Sequence, residues 1–119
     1  MAKVLVVDDD AAIRMLLARW LAKHAFEIDQ ASDGVEAVER IEANLPHLIL
    51  LDIMMPRMNG FGVVAHLRKA HPSLLQRTIV MTAAPRDAEN ELDGICKLVP
   101  KPFEMQVMLE IIRTCAAAK

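Results

Sequence analysis

Leu48-Ile49-Leu50-Leu51 is a run of four large apolar residues that ends on one carboxylate, Asp52. Pro56 and Gly60 follow it. A short apolar run bounded by turn residues reads as a strand buried on both faces. Such strands belong to parallel sheets covered by helices. An ionised carboxylate at the end of one is costly unless a cation or hydrogen bonds hold it. This stretch therefore constrains both the fold and the chemistry of the chain. A strand that merely ends in a polar residue is the plain alternative, and the other strand ends decide between them.

Lys3 to Val7 is a second apolar strand, and it runs into Asp8-Asp9-Asp10. A helix follows, with Ile13, Leu16, Leu17, Trp20 and Leu21 at i, i+3, i+4, i+7 and i+8, an apolar face. Arg14, Arg19 and Lys23 fall on its other side. One aspartate can cap that helix. Three in a row repel one another, and a cation would relieve the repulsion. Phe26 to Ala31 is less apolar and reads as a strand nearer an edge. Asp33 to Glu36 has the spacing of a capping box, and Val35, Val38 and Ile41 form the inward face of the helix it opens. Asn44 and Pro46 mark its stop. After Gly60 a helix turns Phe61, Val64 and Leu67 inward and ends before His71-Pro72.

Thr78 to Thr82 is the fourth strand. Pro85 to Gly94 is polar and carries one large apolar residue, Leu92, so a helix there would be short and weakly anchored. Ile95 to Val99 is the fifth strand, and the prolines at 100 and 102 suit an edge. The last helix starts near Glu104, with Met108, Ile111, Ile112 and Cys115 at helical spacing. Strands alternating with helices mean an α/β domain with a doubly wound parallel sheet. At 119 residues the chain is expected to form one domain, residues 1–119.

A net charge of -2 gives no basic field, so direct nucleic-acid binding is not expected. No apolar run reaches the length of a membrane span. The chain enters its first strand without a signal-peptide core, and a cytoplasmic location is the expectation. Cys96 and Cys115 lack a paired spacing and are expected as buried, reduced thiols. The histidines at 24, 47, 66 and 71 form no ligand pattern in the sequence.

In a parallel α/β sheet a ligand binds at the carboxyl ends of the strands. Asp8 and Asp9 end the first strand, Asp52 the third and Thr82 the fourth, with Lys101 just after the fifth. Clustered carboxylates make a hard oxygen site suited to Mg²⁺. With a lysine and a hydroxyl they can hold a phosphoryl group, and Asp52 can be its nucleophile. No P-loop, GxGxxG, CxxC or serine–histidine–acid set competes. Asp10 reads as a helix-start residue, and Arg57, Arg68 and Arg86 as solvated.

Val6-Val7-Asp8-Asp9, Asp52 with Met55-Pro56 and Gly60, Thr82-Ala83, and Lys101-Pro102-Phe103 together resemble the CheY-like receiver domains of two-component response regulators. The resemblance runs the length of the chain. It implies a flavodoxin-like sheet of order 2-1-3-4-5. It implies that Asp52 accepts phosphate from a histidine kinase or a histidine phosphotransfer protein, and that a downstream protein target reads the result. Mg²⁺ would be held by Asp9 and Asp52 directly, by the backbone carbonyl of Met54, and by Asp8 through water. Lys101 would pair with Asp52 or its phosphate, Thr82 would bond the phosphoryl group, and the Lys101-Pro102 peptide would be cis. The chain departs from the family in three places. Leu98 stands where Tyr or Phe is frequent, Thr82 and Lys101 are closer than usual, and Pro100 precedes the lysine. Two alternatives use the same residues. One is a degenerate receiver that binds constitutively. The other is an aspartyl-phosphate phosphatase of haloacid dehalogenase type, which wants an acid two positions after the nucleophile, where Met54 stands.

Overall fold

Alternation within the strands builds two cores, one on each face of a single sheet. The computed structural model describes residues 2–83 and 89–117. The five strands are β1 (Lys3–Val7), β2 (Glu27–Ala31), β3 (Leu48–Asp52), β4 (Thr78–Thr82) and β5 (Lys97–Pro100). All neighbours pair in parallel, in the order β2-β1-β3-β4-β5. The helices are α1 (Ala11–Ala22), α2 (Gly34–Ala43), α3 (Gly60–Ala70), α4 (Pro72–Leu75) and α5 (Met105–Ala116), with a 3-10 turn at Glu89–Leu92. The expected doubly wound parallel sheet is therefore present.

Successive strand residues point to opposite faces. Leu5, Val7, Ile49, Leu51 and Val80 pack with Ala37 and Ile41 of α2 and with Val63, Val64 and Leu67 of α3. Val4, Val6, Leu48, Leu50, Ile79 and Met81 pack with Leu17 and Leu21 of α1 and with Met108, Ile112 and Cys115 of α5. β3 is buried along its whole length. Fully burying each such side chain contributes about 1.5–3 kcal/mol. β2 and β5 are the edges, as their weaker hydrophobicity and the prolines suggested, and Pro100 closes β5 on the exposed side.

Several expectations need correcting. Leu16 is 58% exposed, because α1 packs through Leu17, Ala18 and Leu21 and Leu16 lies about 100° or more around the helix from each of them. In α2 the small Ala37, with Gly34 and Ile41, lies closest to the sheet, and Val35 and Val38 are only half-buried. The link after α3 holds one more helical turn, α4. Pro72 at its start suits a first turn, and Leu74 and Leu75 are buried beneath it. Residues 85–88 of the expected weak helix lie outside the described residues. The part described, Glu89–Leu92, is a single 3-10 turn anchored by buried Leu92.

The two cysteines are not reduced. Cys96 and Cys115 form a disulfide. α5 runs back alongside β5 and brings the two Cα atoms to 5.9 Å across 19 residues of sequence. Spacing alone could not show a pairing made by that return.

Candidate functional site

Register sets the site. Val7 of β1 pairs with Leu51 of β3, so Asp8 and Asp52 stand side by side, each one residue past that pair. Strands about 4.8 Å apart then bring the two carboxylates together. Asp9 follows from the same turn, and one carboxylate oxygen each from Asp8, Asp9 and Asp52 lies within 4.8 Å of the others. Asp8 and Asp52 are buried and Asp9 is exposed, so the group opens to solvent on one side.

Lys101 reaches in from beyond β5. Its backbone amide donates to the carbonyl of Thr82 at 2.8 Å, which fixes the start of the side chain. Its Nζ lies 3.2 Å from Asp8 Oδ2 and 3.3 Å from Asp52 Oδ1. Thr82 ends β4, buried, with Asp52 opposite Met81 and Thr82 opposite Pro100 in the ladders. The Lys101-Pro102 peptide is cis, as the resemblance implied.

Burial pushes the Asp52 carboxyl above its ordinary pKa, and the nearby charge of Asp8 adds to this. Lys101 and a hydrogen bond from the Met54 amide work against it. Burial also disfavours the Lys101 ammonium, but Asp52 and Asp8 outweigh it and leave its pKa raised. One ammonium between two carboxylates neutralises only part of their charge. A divalent cation beside Asp9 fits the remainder, since the donors are hard oxygens. The Met54 backbone touches the site through its amide, which donates to Asp52, and its side chain is 72% exposed.

The neighbouring turns are built to hold these groups. Asp10 caps α1, accepting from the amides of Ala12 and Ile13, so it is a helix-start residue as expected. Its own amide donates to Asp8 Oδ1 at 2.9 Å. Gly60 cannot carry a side chain, because a Cβ would stand 2.7 Å from the Asp52 carbonyl oxygen and 2.8 Å from Ile53 Cα. Asp33 caps α2 through the Glu36 amide at 2.8 Å. The reciprocal half of the box is absent, since the Glu36 carboxylate bonds Ser32 Oγ instead.

Three arginine roles were not legible in the sequence. Arg14 Nη1 donates to the Asp8 carbonyl at 2.7 Å and so holds the end of β1. Arg57, at φ 64°, closes a 2.8 Å pair with Asp33 and ties the loop after β3 to the start of α2. The Glu36 amide bond and this pair keep the Asp33 carboxyl below its ordinary pKa. Arg68 bonds the carbonyl of Asp93. Each arginine bonds a group distant in sequence or irregular in backbone, and Arg57 and Arg68 are not merely solvated. Arg86 lies outside the described residues.

The sequence model of the response regulator receiver domain matches residues 4–113. Response regulator MprA of Mycobacterium sp. (strain KMS) is 40% identical over 116 residues, covering 93% of this chain and 49% of that protein. The chain thus spans about half the length of the curated relatives it matches. Among solved structures, the receiver domain of NtrX from Brucella abortus superposes with a TM-score of 0.88 at 25% identity, covering 98% of this chain and 99% of that one. TrrA from Thermotoga maritima, in complex with Mg(2+)-BeF, superposes with a TM-score of 0.83 at 28% identity, covering 97% and 99%.

Proposed function

The chain belongs to the response regulator receiver domain family, and from that premise we propose that Asp52 is the phosphoacceptor of a two-component phosphorelay. The observation that carries this is the buried Asp52 carboxylate, set against Asp8 and Asp9 with the Lys101 ammonium 3.3 Å away. A carboxylate oxygen of Asp52 attacks phosphorus. The bond from phosphorus to the donor breaks, and the donor leaves with the electron pair. Lys101 neutralises charge on the acceptor and on the transferred group, and Thr82 bonds a phosphoryl oxygen. Positioning and charge neutralisation are most of what such a transfer needs.

The donor set fits Mg²⁺, with Asp8, Asp9, Asp52 and the Met54 carbonyl as the residues that would hold it. Mg²⁺ bound there would neutralise the phosphoryl oxygens. The phosphoryl source is a histidine kinase or a histidine phosphotransfer protein, and the output is altered binding to a downstream protein. A cytoplasmic location, and residues 1–119 as one receiver unit, belong to the same reading. Catalysis is limited to the domain's own phosphorylation and dephosphorylation. Met54 is no acid, so the dehalogenase-type phosphatase lacks its second carboxylate.

Incubation with acetyl phosphate and Mg²⁺ should add one phosphoryl group by mass, with release of acetate. Asp52→Asn should abolish the addition. Equal labelling of that variant would end the assignment.

A further inference from the structure

Glu42 sits in the last turn of α2, His66 in α3, and His71 caps the end of α3. The Nε2 atoms of both histidines meet the same oxygen, Glu42 Oε1, at 2.7 and 2.6 Å. The ring centroids are 6.0 Å apart and the planes are inclined by 63°, so the nitrogens converge while the rings diverge. Glu42 follows Ile41 and His66 precedes Leu67, and both of those side chains are fully buried. The backbone positions of two of the three donors are therefore set by the core. The side chains themselves remain partly open, at 48% exposure for Glu42, 29% for His66 and 22% for His71.

We propose that Glu42, His66 and His71 form a second metal site, for a divalent transition cation of the Zn²⁺ class. Imidazole nitrogens suit Zn²⁺ and its neighbours, whereas Mg²⁺ and Ca²⁺ take oxygen. Zn²⁺ binds histidine nitrogen and carboxylate oxygen at about 2.0–2.2 Å. Tetrahedral donors at that radius stand about 3.3 Å apart, so each histidine-to-glutamate spacing needs to open by only about 0.6 Å, and the three donor atoms already lie within 4.8 Å of one another. The half-exposed Glu42 can supply that movement. Three protein donors leave a fourth position for water, or for a ligand from another molecule. The C-terminal ends of α2 and α3 lie at the opposite end of the sheet from Asp52, so this site joins two helices and leaves the acidic group untouched.

The test is calorimetric titration of the untagged, oxidised chain with ZnCl₂ in excess Mg²⁺, which occupies the oxygen donors at Asp8, Asp9 and Asp52. One zinc equivalent should bind. Losing even an outer-shell partner of a metal ligand costs about 10- to 100-fold in affinity, so His66→Gln, His71→Gln and Glu42→Gln should each weaken binding at least about tenfold. His47→Gln and Asp9→Asn should leave that equivalent in place. X-ray absorption at the zinc edge should show two imidazoles. Circular dichroism of each variant separates lost binding from lost fold, and Glu42→Gln, the most exposed position, serves if a histidine variant unfolds. No zinc uptake by the parent chain, or uptake that survives all three substitutions, would overturn the proposal. Uptake lost only in Asp9→Asn would assign the zinc to the acidic group and overturn it equally.

Discussion

Gly34 opens α2 against the loop that follows β3, and replacing it with alanine should damage the protein through one contact. The Gly34 amide donates to the Met58 carbonyl at 2.9 Å. A Cβ on Gly34 would overlap that carbonyl oxygen and stand 2.7 Å from both Met58 C and Met58 Cβ. Carbon atoms in ordinary contact are about 3.5–4.0 Å apart, so the two backbones must separate by about 0.8 Å or more. Neither side is a flexible side chain that can swing away. Overpacking of this kind costs about 1–3 kcal/mol, and stranding the amide about 1–3 more. A loss of about 3 kcal/mol is expected. Unfolding entropy near 2.1 cal/mol/K per residue is about 250 cal/mol/K for 119 residues, so the melting temperature should fall by about 12 °C. Gly62→Ala is the matched control. Its Cβ would meet only the Met58 side chain, at Cγ 2.5 Å and Sδ 3.1 Å, which can rotate. Alanine inside a helix gains about 0.5–1 kcal/mol over glycine, so this variant should melt close to the parent. Calorimetric melting of both variants decides the matter. If Gly34→Ala melts with the parent, or if both variants fall equally, the reasoning about this contact is wrong.

Mg²⁺ at about 100 times its dissociation constant should stabilise the fold by about 2.7 kcal/mol, and Asp9→Asn should reduce the gain; a melting curve indifferent to Mg²⁺ would count against the site. Closing the loop between Cys96 and Cys115, at a sequence separation of 19, should contribute about 3 kcal/mol, so a dithiol reductant should lower the melting temperature by about 12 °C; no change on reduction would contradict the bond. Asp52→Asn, measured in chelator, should be more stable than the parent at neutral pH. Burial and Asp8 raise the folded-state pKa of Asp52, so its penalty is full above that pKa and is relieved as the pH falls through it toward the ordinary value of 3.8. The advantage of the variant should therefore shrink on acidification, and an advantage constant with pH would refute the electrostatic cause.

Much of this molecule could be read from local pattern. A strand buried on both faces must be apolar throughout, so Leu48–Leu51 announced a covered parallel sheet before any contact was known. Asp52, Asp8 and Thr82 could be placed because each directly follows such a run, and a polar residue there can only stand at the strand's end. Asp10 and Asp33 were legible as caps, since capping depends on residues two or three positions away.

What tertiary structure decided depends on register and on returns of the chain. The 3.3 Å approach of Lys101 to Asp52 exists because β4 lies between β3 and β5 and the amide of Lys101 is fastened to Thr82. The burial of Ala37 in place of Val35 and Val38 follows from the rotation of α2 on the sheet, which helical periodicity leaves free by a fraction of a turn. Cys96 meets Cys115, Arg57 meets Asp33, and His66 and His71 meet Glu42 only where separate elements are packed together. Those contacts join residues far apart along the chain. No spacing in a sequence records them, because the packing that brings them together is a property of the whole sheet and its helices.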